Sequence, residues 1–302
     1  MNFKRYKYNF VVLLLVVIIG VVITAPMLMW GDSASGEELE EFIPPILGGE
    51  DPGHERPTYN FKTAMSALKQ GNEGLKAGYT SVVSGSSEML AVGIPFRFEA
   101  NGYKYINPKD DTAFLALTLG TRNLPFYKID LDDYFSQITK ESIISYCVDR
   151  TEGENFLVPY TVADFQSKGG FLPASNWLGN LPASSIISSR IEKFSGYQKV
   201  IMKVKAETMQ GLGVCLLSPM RIRCDYKTTA PADVVFYISN YGDFLNVQYS
   251  MSSELILHSP FGVIKAAGTF GFGETFYNVQ NNEVVQKYEN VVEKYPQLLP
   301  IK

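Results

Sequence analysis

Twenty-one consecutive residues, Phe10–Trp30, carry no charge and are mostly Val, Leu and Ile. Nothing else in the chain constrains it as strongly. A helix of that length rises about 31 Å, close to the roughly 30 Å of a bilayer's hydrocarbon core. It also satisfies its own backbone hydrogen bonds in lipid. Lys4, Arg5 and Lys7 precede the run, and Asp32, Glu37, Glu38, Glu40 and Glu41 follow it. Cationic flanks stay cytoplasmic, so residues 1–9 are expected inside and the C-terminal bulk outside, with Trp30 as an interfacial anchor. The run predicts a retained single-pass anchor in the cell membrane over residues 10–30. A cleaved leader is the competing reading, but its apolar core would be about 7–15 residues long. Pro26 after Ala25 spoils the best cleavage site, leaving Ser33-Ala34-Ser35, and no cysteine stands nearby to carry a lipid.

Beyond the anchor, Gly31–Pro57 is rich in Gly, Pro, Ser and acids and reads as a linker, since such a composition buries too little apolar surface to order itself. Its inner piece Phe42–Leu47 is more apolar than a spacer requires. Residues 58–302 then form the extracytoplasmic domain, divisible into halves 58–182 and 183–302. The chain holds 27 basic and 31 acidic residues; four and eight of these precede Thr58, leaving 23 of each in the domain. A neutral domain has no bulk attraction for nucleic acid, and none is expected as a partner. Cys147, Cys215 and Cys224 are too few for a disulfide framework. One pair, Cys215–Cys224, could meet across neighbouring strands; otherwise all three are small buried hydrophobes. No Asn-x-Ser/Thr sequon occurs, which fits a bacterial-type envelope.

The periodicity predicts an α+β fold, with helices packed on an extended, curved antiparallel sheet. Tyr59–Ala77 has helical spacing, with Gly78 as its stop. Leu90, Val92, Ile94, Phe96 and Phe98 alternate on one strand face, and Asn101-Gly102 marks a hairpin turn. Strands are expected at Thr112–Leu119 and Pro125–Leu131. Asp132 would cap a helix through Ile138, and Thr161–Ser167 forms a short capped helix. A second amphipathic helix is expected at Ser184–Phe194. Strands follow at Tyr197–Glu207, Leu212–Leu217, Met220–Lys227, Val234–Ser239, Phe244–His258 and Gly262–Val279, with a turn at Tyr241-Gly242-Asp243 and a final helix at Glu283–Tyr295. Helix, Gly-Tyr and strand recur at Gly78-Tyr79 and Gly196-Tyr197. That order reads either as two degenerate helix-plus-sheet repeats or as coincidence.

Within Ser218–Tyr249, Pro219, Arg221, Arg223 and Tyr226 precede the strand Val234–Ser239, the turn Asn240–Asp243 and the strand Phe244–Tyr249. This segment resembles the LolA/LppX-type lipoprotein-carrier domains, weakly and over about thirty residues. The chain departs from them in lacking a lipid-attachment cysteine and in its longer N-terminal region. The resemblance implies an apolar cavity between sheet and helices, and binding of a lipid or acyl group.

Chemistry is sparse. Of two histidines, His54 lies in the linker and His258 at a strand end. No serine sits in a nucleophile elbow, and histidine-based zinc sites are excluded by number. Asp130, Asp132 and Asp133 could hold Ca²⁺, but helix capping and solvent exposure explain the cluster better. Gly268–Gly273 has neither phosphate-loop spacing and reads instead as a sharply bent strand or a strand lying against another backbone. No catalytic residue, metal or cofactor is assigned. Two functions remain open. The first is a non-enzymatic binding protein that encloses a lipid or other apolar ligand or docks an envelope protein. The second is a carboxylate-dependent hydrolase of cell-wall or extracellular polymer. The first selects Phe96, Phe98, Met220, Ile222, Phe236 and Ile238 as an apolar ligand face, against the simpler reading that these residues fill the core.

Overall fold

Period-two alternation governs the chain from Tyr79 onward, and the computed structural model turns it into one antiparallel sheet. The structure describes residues 61–91, 93–107, 112–122, 130–150, 153–167, 181–209, 223–259, 262–277 and 282–298. The predicted span at residues 10–30 and the linker lie outside these. Among the described residues no helix is long and apolar enough to cross a membrane.

The strands are β1 (Tyr79–Ala91), β2 (Ile94–Asn107), β3 (Thr112–Arg122), β4 (Asp130–Gln137), β5 (Ser142–Asp149) and β6 (Glu154–Thr161), then β7 (Ile186–Lys193), β8 (Tyr197–Val204), β9 (Arg223–Thr228), β10 (Ala232–Ser239), β11 (Phe244–Ser259) and β12 (Gly262–Tyr277). They form a single 12-stranded sheet in the order β6-β5-β4-β3-β2-β1-β12-β11-β10-β8-β7. β10 and β9 follow one another along the same side of β11, against Phe244–Ser250 and Ser253–His258.

This corrects the expected α+β fold. The protein is mostly antiparallel sheet, large and curved, and helices are minor. They are α1 (Phe61–Leu75), α2 (Val162–Ser167) and α3 (Asn282–Lys294). The helix expected at Ser184–Phe194 is strand β7. A register shift between Ile186 and Ser188 breaks the alternation there, which leaves Ile186, Ile187 and Ile191 at helix-like spacing. With that helix gone, the pair of helix-plus-sheet repeats is overturned. The helix expected after Asp132 is strand β4, and β5 and β6 follow where no strand was expected. Asn101-Gly102 is no turn but the middle of β2, paired with Ser84 and Val83. A side chain at Gly102 would place its Cβ 2.0 Å from the Ala116 carbonyl oxygen. Gly is there for close backbone approach, not for turning.

Other expectations hold. Gly78 ends α1 with φ +95°, and Gly242 turns β10 into β11 with the same value. Thr161 caps α2, its Oγ1 accepting from the Asp164 N–H at 3.0 Å. α1 lays Ala64, Ala67, Leu68 and Leu75 on the sheet, and Gly71 lets it approach so closely that a Cβ would stand 2.7 Å from the Phe244 ring. α3 packs on the opposite face of the sheet. There Tyr288 meets Tyr105 and Phe114 at 5.1 and 5.0 Å, and Tyr295 meets Tyr146 at 4.7 Å.

Because the Gly102 contact is with backbone, neighbouring side chains cannot yield to relieve it. Gly102→Ala should destabilise the domain by about 1–3 kcal/mol, read as a lowered melting temperature of the full chain. An unchanged melting temperature would refute the close approach.

Candidate functional site

One sheet face carries most of the buried apolar side chains, and the register defines it. On β2 it presents Ile94, Phe96, Phe98, Ala100, Gly102, Lys104 and Ile106; on β1 the odd residues from Tyr79 to Ala91. β12 adds Ala266, Gly268, Phe270, Phe272, Glu274 and Phe276. Two rows cross its middle. Phe98, Ser87, Phe270 and Met251 face one another across β2, β1, β12 and β11. Beside them run Ala100, Gly85, Phe272, Tyr249, Val234 and Met202. α1 covers this inner face at β7 and β11.

Of the proposed ligand face, Phe96, Phe98, Phe236 and Ile238 all point to this side. Phe96, Phe236 and Ile238 are buried in the core, whereas Phe98 is only partly buried and packs against it. Phe96 and Phe98 meet edge to face at 5.4 Å. Met220 and Ile222 lie outside the described residues. Sequence reasoning missed Met89, Tyr249, Met251, Phe270 and Phe272. The Phe270-Gly271-Phe272-Gly273 alternation was their signal: both rings point inward and both glycines outward. Phe272 stacks on Tyr249 at 5.1 Å and is partly buried, touching two of the hydrophobic clusters.

The same face holds two buried acids. Glu274 accepts from the Lys104 ammonium at 3.0 Å and from the Ser81 hydroxyl at 2.5 Å. Burial pulls the Lys104 ammonium down, but Glu274 and Tyr79 outweigh it and the net direction is up. Burial pushes the Tyr79 hydroxyl up to about 12, with Lys104 opposing. Asp133, fully buried, faces Cys147 across β4 and β5. Its two carboxyl oxygens lack a hydrogen-bond partner of good geometry. Burial pushes this carboxyl up to about 7; the Cys147 thiol opposes the rise and Asp132 adds to it.

The acidic cluster therefore divides between the two faces of β4. Asp133 points in, while Asp130 and Asp132 point out and both pair with Arg150. Thr118 also donates to Asp132 at 2.8 Å. Helix capping does not account for the cluster, since it lies in a strand. Both carboxylates, Asp130 and Asp132, accept from one guanidinium. Asp133 and Glu274 stand four strands apart, about 19 Å at the usual spacing, too far to act together on one glycosidic bond. Among the described residues no group of three or more His, Cys, Asp and Glu is placed to hold a metal. Cys215 and the side chains of Cys224 and His258 lie outside what is described.

No family model and no curated protein matches the chain. Solved structures do show a likeness. LprF from Mycobacterium bovis is 10% identical over 70% of this chain and 93% of its own, with a TM-score of 0.35. A DUF1329 family protein from Desulfovibrio piger is 8% identical over 73% of this chain and 92% of its own, with a TM-score of 0.27. At these identities and TM-scores the likeness is weak, as is the lipoprotein-carrier resemblance of the sequence.

Two outcomes follow from the buried acids. Lys104→Met should cost about 3–5 kcal/mol by leaving Glu274 buried and unpaired, and adding Glu274→Met should restore most of it; equal losses in the single and double variants would exclude the pairing. For Asp133, the unfolded chain ionises near pH 3.8 and the folded one near 7. Its contribution to stability therefore falls as pH rises between these values, by an amount on the order of a few kcal/mol. Asp133→Asn should gain on the wild type from pH 4 to pH 7 and level off above; a difference flat across that range would sink the assignment.

Proposed function

We propose that this chain is a membrane-anchored, extracytoplasmic binding protein, without a catalytic role of its own, whose inner sheet face holds the acyl chain of a lipid or similar apolar ligand. The observation that carries the reading is the partly buried pair Phe98 and Phe272 amid an otherwise buried apolar floor. Rings left partly open inside a core are surface that an apolar ligand can still cover, each worth roughly 1.5–3 kcal/mol when fully buried. The smooth floor around them, with glycines at 85, 102 and 268, suits an unbranched chain better than a shaped polar substrate. The anchor rests on the uncharged run Phe10–Trp30 and its basic and acidic flanks.

A diazirine-bearing 16-carbon fatty acid, photolysed with the full chain in lipid nanodiscs, tests this. Adducts are expected on residues 94–107 and 262–277, falling about tenfold in Phe98→Ser and Phe272→Ser through the lost apolar contact. Adducts confined to residues 10–30, or indifferent to both substitutions, would overturn the reading.

A further inference from the structure

The two ends of the sheet differ in the chemistry of their connections. At the end where β1 passes to β2, β3 to β4 and β11 to β12, the joining sequences are Val92-Gly93, Asn123-Leu124-Pro125-Phe126-Tyr127-Lys128-Ile129 and Pro260-Phe261. At the other end they are Pro108-Lys109-Asp110-Asp111, Ile138-Thr139-Lys140-Glu141, Phe194-Ser195-Gly196 and Asn240-Tyr241-Gly242-Asp243. Hairpin connections are normally polar; those of the first end are apolar, save Arg150–Gly153 beside the edge strand β6.

The exposed aliphatic side chains carry the same asymmetry, while the other end exposes two tyrosines, Tyr241 and Tyr277. Leu90 is 54% exposed, Ile94 43% and Val263 57%, and all three sit at the first end. Ala91 of β1 pairs with Ala266 of β12, so the β1–β2 and β11–β12 hairpins stand side by side. β12 runs four residues further, to Gly262. Behind the tips come Arg97 and Arg122, both exposed and both shared by Glu99 at 3.3 and 3.0 Å. Exposed Glu88 completes that level, while exposed Lys265 stands four residues nearer the tip, between Leu90 and Val263. Apolar tips backed by long cationic side chains match the layering of a bilayer surface, where Arg and Lys stems cross apolar depth and leave their charges among headgroups.

We infer that this end of the sheet, through Leu90, Ile94 and Val263, docks on a phospholipid bilayer. Two features favour a bilayer over a protein partner. The chain outside the described residues ends, before α1, in an apolar run of membrane-spanning length, with thirty residues between Trp30 and Phe61. In addition, Ile94 belongs to the inner face itself: Ile94, Phe96 and Phe98 alternate along β2, so the tip is continuous with the floor proposed to hold an acyl chain. The inference rests on that reading for its purpose, but its own test is separate.

The test reconstitutes the full chain in phosphatidylcholine–phosphatidylglycerol vesicles containing a phospholipid with a diazirine in its acyl chain. After photolysis, adducts are expected in residues 86–97 and 262–267 and not at Asn240–Asp243, although Tyr241 there is 90% exposed. The triple variant Leu90→Asp, Ile94→Asp, Val263→Asp should lower the tip adducts about tenfold, since carboxylates resist entering the bilayer. Adducts in residues 10–30 serve as the internal standard, and an unchanged melting temperature establishes that the variant folds; should it not, Leu90→Ser with Val263→Ser gives a smaller fall in the same sense. Adducts confined to the anchor, or equal at both ends of the sheet, would overturn docking. Tip labelling without fatty-acid labelling of the inner face would leave docking standing and remove the ligand reading, and the reverse result would do the opposite.

Discussion

A sheet this wide has two faces to keep from water, and among the described residues one principal helix lies on each. α1 lies on the inner face toward β7 and β11, and α3 lies on the outer face around β2–β5. The arrangement hinges on the contact between Gly71 and the Phe244 ring, where any larger residue would lift α1 off its bed. Gln70 secures the same spot by donating to the Tyr241 carbonyl at 3.2 Å. Neither helix is broad enough to shield a face alone. The middle of the inner face is consequently closed only in part, and there Phe98 and Phe272 keep some of their surface open.

How legible this was depended on how many faces of a strand are covered. Where one face meets water, alternation is clean, and β8, β10, β11 and β12 could be placed from the sequence. β3 is covered on both sides, so Ala113, Phe114, Ala116, Leu117 and Leu119 are all buried, and its existence showed as an apolar run. β7 was lost because its bulge mimics a helical period. In β2 the Asn101-Gly102 pair misled, because a glycine required for close backbone approach reads the same as one required for a turn. Lys104, three residues on from Asn101, is an inner-face residue buried against Glu274. No pattern within β2 could reveal a partner 170 residues away. The same applies to Asp133, whose burial depends on which face of β4 meets the core.

These inner-face polar groups also bear on how the sheet keeps its register. A slip of β12 against β1 by one residue would send Glu274 to the other face and leave Lys104 buried without its carboxylate, a penalty much larger than that of misplacing one apolar pair. Buried ion pairs add little net stability against apolar replacements, so specifying register is the better account of this one. Among the described residues no cation pairs with Asp133. Burial raises its pKa to about 7, so it is largely protonated only below neutrality, and it sits on the same face as Leu117 and Phe135, beside the cluster that Phe272 touches.

Tethering alters what a docking surface must achieve. Three partly exposed aliphatic side chains give a free domain only a weak and reversible hold on a bilayer, in the way that a single short acyl anchor does. The composition of Gly31–Pro57 predicts a coil-like connection, and thirty such residues span roughly 30 Å on average. Under the proposed anchoring at residues 10–30, a tether of that length would present the bilayer to the sheet end at an effective concentration in the millimolar range, and a weak contact would be occupied much of the time. It also releases quickly. A binding protein that collects an acyl chain from the membrane needs both properties, because tight insertion of the tips would hold the entrance of the inner face permanently against the bilayer. A modest apolar tip on a short tether meets that requirement where a larger patch would not.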